Sequence, residues 1–104
     1  MSKENKIKEN DIVTLVLTNG AEVIGRYQSE DMMSYTIERP RLVQVNEKGV
    51  ALVDGVCMTG DKVDGTLQFN KTCVSFILPT MQQIAEGWQT QTSGIQVPQK
   101  SVIL

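Results

Sequence analysis

Residues 13–37, VTLVLTNGAEVIGRYQSEDMMSYTI, decide how this chain folds. Val13, Leu15 and Leu17 alternate with residues of the opposite face, the two-residue period of a strand. Ile12 and Val16 put apolar side chains on that opposite face too, so the strand is predicted to be buried on both sides. Asn19-Gly20 then interrupts the run, and Asn-Gly between two apolar alternations is the strongest short hairpin signal, because both residues tolerate positive φ. The second strand runs from Glu22 to Ser29 and carries Gly25 in its interior, where glycine marks a bulge or a sharp bend. Asp31-Met32-Met33-Ser34 reads as a loop, and Tyr35-Thr36-Ile37 opens a third strand.

The same reading extends outward. Pro40 cannot donate to a sheet ladder, so it marks an edge or bulge before the strand resumes at Leu42–Val45. Asn46–Gly49 is a turn and Val50–Val53 a fourth strand. Thr59–Gly65 is polar and bracketed by glycines, hence a loop. Thr66–Phe69 and Cys73–Leu78 are the last strand segments. Thr80–Trp88 reads as a helix: Thr80 and Gln83 have capping-box spacing, and Met81, Ile84, Ala85 and Trp88 form one apolar stripe. The predicted architecture is all-β, a small, strongly bent, five-stranded antiparallel barrel with a short C-terminal helix. Its parts are a flexible arm at residues 1–10, the barrel at 11–79, the helix at 80–90 and an extended tail at 91–104.

Composition narrows the chemistry. A chain of 104 residues with 40% apolar content is expected to form one domain with a modest core, which self-association would help to stabilise. Net charge is −2, and residues 11–90 hold six basic against ten acidic side chains. A general polyanion surface is therefore not expected; any anion site must be local. There is no histidine, which removes the commonest general base and zinc ligand. Cys57 and Cys73 form no CxxC motif and read either as a disulfide or, more in keeping with a reducing compartment, as two buried thiols. Asp61 and Asp64 around Lys62 match no Ca²⁺ loop and read as a solvated loop rather than a cation site. Glu30 and Asp31 are adjacent on an extended chain and point apart, so they make no acid–base pair. The residues lead us to expect no enzyme, no metal and no cofactor. With no signal-peptide core and no long apolar run, the expected location is cytoplasmic.

The 13–37 stretch resembles the first motif of the Sm-like (LSm) superfamily. Val13, Leu15 and Leu17 match its first strand, Gly20 and Gly25 its glycine spacing, Tyr27 its apolar position and Asp31 its acid. Met33-Ser34-Tyr35-Thr36-Ile37 is similar to Met-Asn-x-x-apolar with a loop one residue shorter. The second motif is weaker: Phe69-Asn70-Lys71-Thr72-Cys73-Val74 stands in its place, with Asn70 for the Arg or Lys and Lys71 for the Gly or His. Leu78-Pro79 is similar to the bacterial branch. The N-terminal helix of the family is missing. The brevity and these departures suggest a divergent, phage-derived version.

The resemblance implies a homo-oligomeric ring of about five to seven subunits joined edge to edge, which removes exposed sheet edges. It also implies binding of single-stranded RNA or DNA near the pore, in nucleic-acid processing or chaperoning, with no membrane or small-molecule partner. On that basis Ser34 contacts a base, Met32 or Met33 lies against it, Asp31 orients the loop, and Asn70 and Lys71 supply a donor and a cation. Arg39 and Arg41, of equal parity around Pro40, either join Lys71 on one phosphate-binding face or are plain solvated arginines. Two other readings stay open. One is a structural or adaptor ring that kept the barrel and lost nucleic-acid binding. The other is an SH3-type peptide-binding barrel, for which five aromatics leave little material.

Overall fold

A computed structural model describes residues 6–93. Six strands are present: β1 (Ile12–Leu17), β2 (Glu22–Glu30), β3 (Ser34–Asn46), β4 (Gly49–Leu52), β5 (Thr66–Asn70) and β6 (Val74–Pro79). One helix, α1 (Gln82–Thr92), follows. All strand pairings are antiparallel, in the order β4-β3-β2-β1-β6, with β5 added to the remaining part of β3. The result is the expected small, bent all-β fold with a short C-terminal helix. Its sheet, however, is not closed. One edge of β6 and the outer edges of β4 and β5 have no strand partner among the described residues.

The hairpin between β1 and β2 forms at Asn19-Gly20, with Gly20 at φ 91° and the Asn19 side chain accepting from the Ala21 N–H. The bend is made by three residues acting together. Gly25 of β2 lies directly against β3: a Cβ there would collide with the Ile37 side chain and come within 2.9 Å of the Glu38 carbonyl oxygen. Opposite it, Arg39 has φ 51° and Pro40 is buried, so β3 turns a corner. The register between β2 and β3 slips at this point, between Ile24 and Arg26.

The corner divides β3 into two pairing segments. Ser34–Glu38 pairs with β5, and Val43–Asn46 pairs with β4. β4 and β5 thus flank one bent strand, separated by residues 53–65. The sequence reading named Val50–Val53, Thr66–Phe69 and Cys73–Leu78 as separate segments but gave five strands in all; the structure has six.

Residues 53–65 are held to the sheet by polar contacts. Leu42 N–H donates to the Gly55 carbonyl at 2.7 Å, and Arg39 N–H to that of Gly65 at 2.8 Å. Arg41, 2% exposed, reaches the Val63 carbonyl at 2.9 Å and Asp64 at 3.4 Å.

The core is set by strand parity. Val13, Leu15 and Ile37 are fully buried, with Leu17, Tyr27, Tyr35, Phe69, Val74 and Ile77 packed around them. The arm is less loose than expected: Ile7 packs on this core, and the Asn10 N–H donates to the Tyr27 carbonyl at 2.7 Å. Both cysteines are free and exposed, which corrects the expectation of buried thiols; they lie on the loop and the turn rather than inside the barrel.

The helix differs from its predicted form at both ends. Thr80 does not cap it. Its hydroxyl instead meets that of Thr14 at 2.8 Å, and Met81 is the N-cap residue with no side-chain cap bond. Met81 is exposed, so the apolar stripe that packs begins at Ile84. The helix also continues past its predicted end at residue 90, to Thr92. Its anchor is Trp88, fully buried, whose indole N–H donates to the Arg39 carbonyl at 2.9 Å, with the Arg26 guanidinium 5.4 Å from the ring centroid. No helix among the described residues is long and apolar enough to cross a membrane. The predicted tail lies outside the described residues from position 94 onward.

Candidate nucleic-acid interface

β3 begins beside the end of β5, so the loop that precedes the one meets the turn that follows the other. Ser34 is paired with Asn70 and Tyr35 with Phe69. One backbone bond then joins loop to turn: the Lys71 N–H donates to the Met33 carbonyl at 2.7 Å. Asp31, Met32, Met33, Ser34, Asn70 and Lys71 therefore share one patch, although nearly forty positions separate the two groups.

Each loop is shaped by a side chain that accepts backbone bonds. Asp31 Oδ1 takes the N–H groups of Met33 and Ser34, both at 2.8 Å, and the Ser34 hydroxyl at 3.3 Å. Asp31 N–H in turn donates to the Ser34 carbonyl at 2.9 Å. These donors favour the ionised form and hold the Asp31 carboxyl below its ordinary pKa, the Met33 N–H most of all. Asn70 does the same for the 3₁₀ turn at Lys71–Cys73: its Oδ1 accepts from the Thr72 N–H at 2.9 Å and hydroxyl at 2.8 Å. With Oδ1 occupied, Asn70 presents its amide nitrogen as a donor.

The tight turn leaves Met32 and Met33 uncovered, 86% and 61% exposed. Neither side chain is part of the core.

Lys71 is held between two β-strands. Its ammonium donates to Glu30 at 2.7 Å and lies 5.0 Å from the centroid of the Tyr35 ring. The Glu30 bond raises the Lys71 pKa, and the same bond, with a second from the Tyr27 hydroxyl at 2.8 Å, lowers that of Glu30. Tyr27 is pushed up to about 12 by burial and by this bond to Glu30. The ammonium therefore stays charged through the neutral range, but it is already paired.

Glu30, Tyr27 and Tyr35 complete the site, and the sequence did not mark Glu30 as part of it. Register with Tyr35 is what brings Glu30 to Lys71, and that register is invisible in a single chain read end to end. Glu30 and Asp31 have separate partners: Glu30, the last residue of β2, holds Lys71, and Asp31 holds the turn that follows.

Arg39 and Arg41 are not brought to this patch. The left-handed Arg39 breaks the parity on which a shared face depended. Its guanidinium pairs with Glu38 at 3.0 Å, while Arg41 is buried beneath residues 63–64. Neither of the two alternatives holds for Arg41, which is neither solvated nor aligned with Lys71. No group of three or more His, Cys, Asp or Glu side chains able to hold a metal occurs among the described residues. Asp64 is engaged by Arg41 instead.

Compared with known proteins, no family model matches the chain, and no curated protein matches it.

Proposed function

We propose that this chain is an Sm-like protein that forms a homo-oligomeric ring and binds single-stranded RNA through the joined 31–34 and 70–72 loops. The observation that carries this reading is the junction of the two loops: Ser34, the Asn70 amide and the Lys71 ammonium stand on one patch with two exposed methionines. Such a patch offers a hydroxyl, an amide donor and a cation beside a soft apolar surface, the elements needed to hold an unstacked base and its phosphate. Met in place of an aromatic ring gives less than the about 1–3 kcal/mol per base of aromatic stacking. Affinity therefore has to come from several subunits acting together. The edges of β6 and of β4 and β5, which have no strand partner among the described residues, support the ring, since each is a template for a strand from another copy.

One observation favours the adaptor reading: Glu30 neutralises Lys71, and Glu30, Asp31 and Lys71 together leave the patch with a net negative charge. Binding of fluorescent oligo-U, oligo-A and single-stranded DNA at low salt separates the two. The RNA reading expects saturable binding to RNA, weakened by Lys71→Ala with a salt slope lower by about one unit. Absence of measurable binding by the unmodified protein leaves the adaptor ring.

A further inference from the structure

Of the carboxylate oxygens at the joined loops, one is left without a hydrogen bond among the described residues. Both oxygens of Glu30 are engaged, Oε1 by the Tyr27 hydroxyl at 2.8 Å and Oε2 by the Lys71 ammonium at 2.7 Å. Asp31 is used through one oxygen only. Its Oδ1 accepts from the Met33 and Ser34 N–H groups and from the Ser34 hydroxyl, while its Oδ2 has no hydrogen-bond partner among the described residues. Asp31 is exposed. The same donors, the Met33 N–H first, hold its carboxyl below the ordinary pKa, so Oδ2 is a charged acceptor through the neutral range.

Asn70 is the complement. Its Oδ1 is taken by the Thr72 N–H and hydroxyl, which leaves its amide nitrogen with no partner among the described residues. Asp31 and Asn70 both adjoin Ser34: Asn70 is its partner across the β3–β5 ladder, and Asp31 accepts from its N–H and hydroxyl. The Ser34 hydroxyl, donating to Asp31 at 3.3 Å, has only lone pairs left to offer. The free polar groups next to Ser34 are therefore a charged acceptor at Asp31 and a donor at Asn70. Lys71, held by Glu30, can follow a phosphate but does not tell one base from another.

We infer, resting on the RNA reading of this patch, that Asp31 Oδ2 and the Asn70 amide read the edge of an unstacked base and select cytosine and adenine over uracil. Cytosine and adenine each set an exocyclic amine, a donor, beside a ring nitrogen that accepts. An acceptor at Asp31 and a donor at Asn70 match that edge. Carboxylates take the cytosine amine in the same way when proteins read duplex DNA. Uracil has a carbonyl where cytosine has its amine, and its one ring N–H lies between two carbonyls. A carboxylate facing that edge meets oxygen lone pairs, and acceptors brought together without a donor count against binding. Met32 and Met33, exposed on the same turn, are available to the face of the base. Neutralisation of Lys71 by Glu30 sharpens the choice, because weaker phosphate attraction leaves base contacts a larger share of binding.

The test is fluorescence anisotropy with the full chain at neutral pH and low salt, on labelled oligo-C and oligo-U of equal length. The two ligands share a backbone and differ at the base edge. Oligo-C is expected to bind about tenfold tighter than oligo-U. Asp31→Asn keeps an Oδ1 for the turn, since Asn forms the same side-chain turn as Asp, and puts an amide donor where Oδ2 was. It is expected to erase or reverse the preference. Loss of a negative charge raises affinity for both oligonucleotides, so their ratio is the readout rather than either affinity. A second measurement leaves the protein unmodified: oligo-C dimethylated on its exocyclic amine has no N–H to donate and is expected to bind no better than oligo-U. Oligo-U bound as tightly as oligo-C, a preference that survives Asp31→Asn, or dimethylated oligo-C bound like oligo-C overturns the inference and leaves the RNA reading standing. Absence of binding to every oligonucleotide removes the RNA reading and the inference with it.

Discussion

Gly25 is where a single missing methyl group shapes the molecule. Its Cα lies so close to Ile37 and to the backbone at Glu38 and Pro40 that a Cβ has no place unless β2 and β3 separate. Gly25→Ala is expected to lower stability by about 1–3 kcal/mol, the usual cost of forcing a methyl into a packed site, as read from urea denaturation midpoints. At the candidate interface, Glu30 ties titration to stability. Its folded pKa is lowered, so the contribution of its bonds is present above the unfolded value and lost as pH falls through the folded one. Glu30→Gln is expected to flatten that acid-side loss below about pH 4.5 in a series of denaturation curves. Tyr27 is the opposite case. Its pKa is raised to about 12, so its contribution is complete below about pH 10 and fades as pH climbs through 12. Ultraviolet titration is expected to show a tyrosinate step near that value, absent in Tyr27→Phe.

At the scale of elements, α1 is fastened chiefly by Trp88. Burial of the whole indole, its bond to the Arg39 carbonyl and the Arg26 stack all converge on the corner of β3. Trp88→Ala is expected to cost about 3–5 kcal/mol, as for other buried aromatic deletions, and to remove helical signal from the circular dichroism spectrum in the same step. Residues 53–65 depend on Arg41 in a comparable way. Arg41→Leu leaves the Val63 carbonyl without its donor, a loss of about 1–3 kcal/mol. Faster hydrogen exchange confined to this segment and to Leu42 and Arg39 is the expected signature.

For the whole molecule the open sheet governs behaviour. Among the described residues, one edge of β6 and the outer edges of β4 and β5 carry no strand partner. In the ring reading, light scattering at micromolar concentration gives a multiple of 11.5 kDa. Replacing Phe76 and Leu67, both exposed and on opposite edges, with Lys then yields a folded monomer. A monomeric mass for the unmodified protein removes the ring.

Much of this was legible in local pattern. Alternation at Val13–Leu17, the Asn19-Gly20 turn, glycine within β2 and a stripe ending at Trp88 each encode their own geometry over a few residues. The Asp31 turn belongs to the same class, because its bonds span no more than three positions. What local pattern could not encode was register between distant strands. That register placed Asn70 against Ser34 and Glu30 beside Lys71, and it made partners of β4 and β5 on one bent strand. The left-handed turn at Arg39 sent Arg41 inward. A charged residue next to proline looks the same whether it faces water or a neighbouring loop; only the corner of β3, with the Val63 carbonyl waiting beneath it, settled which.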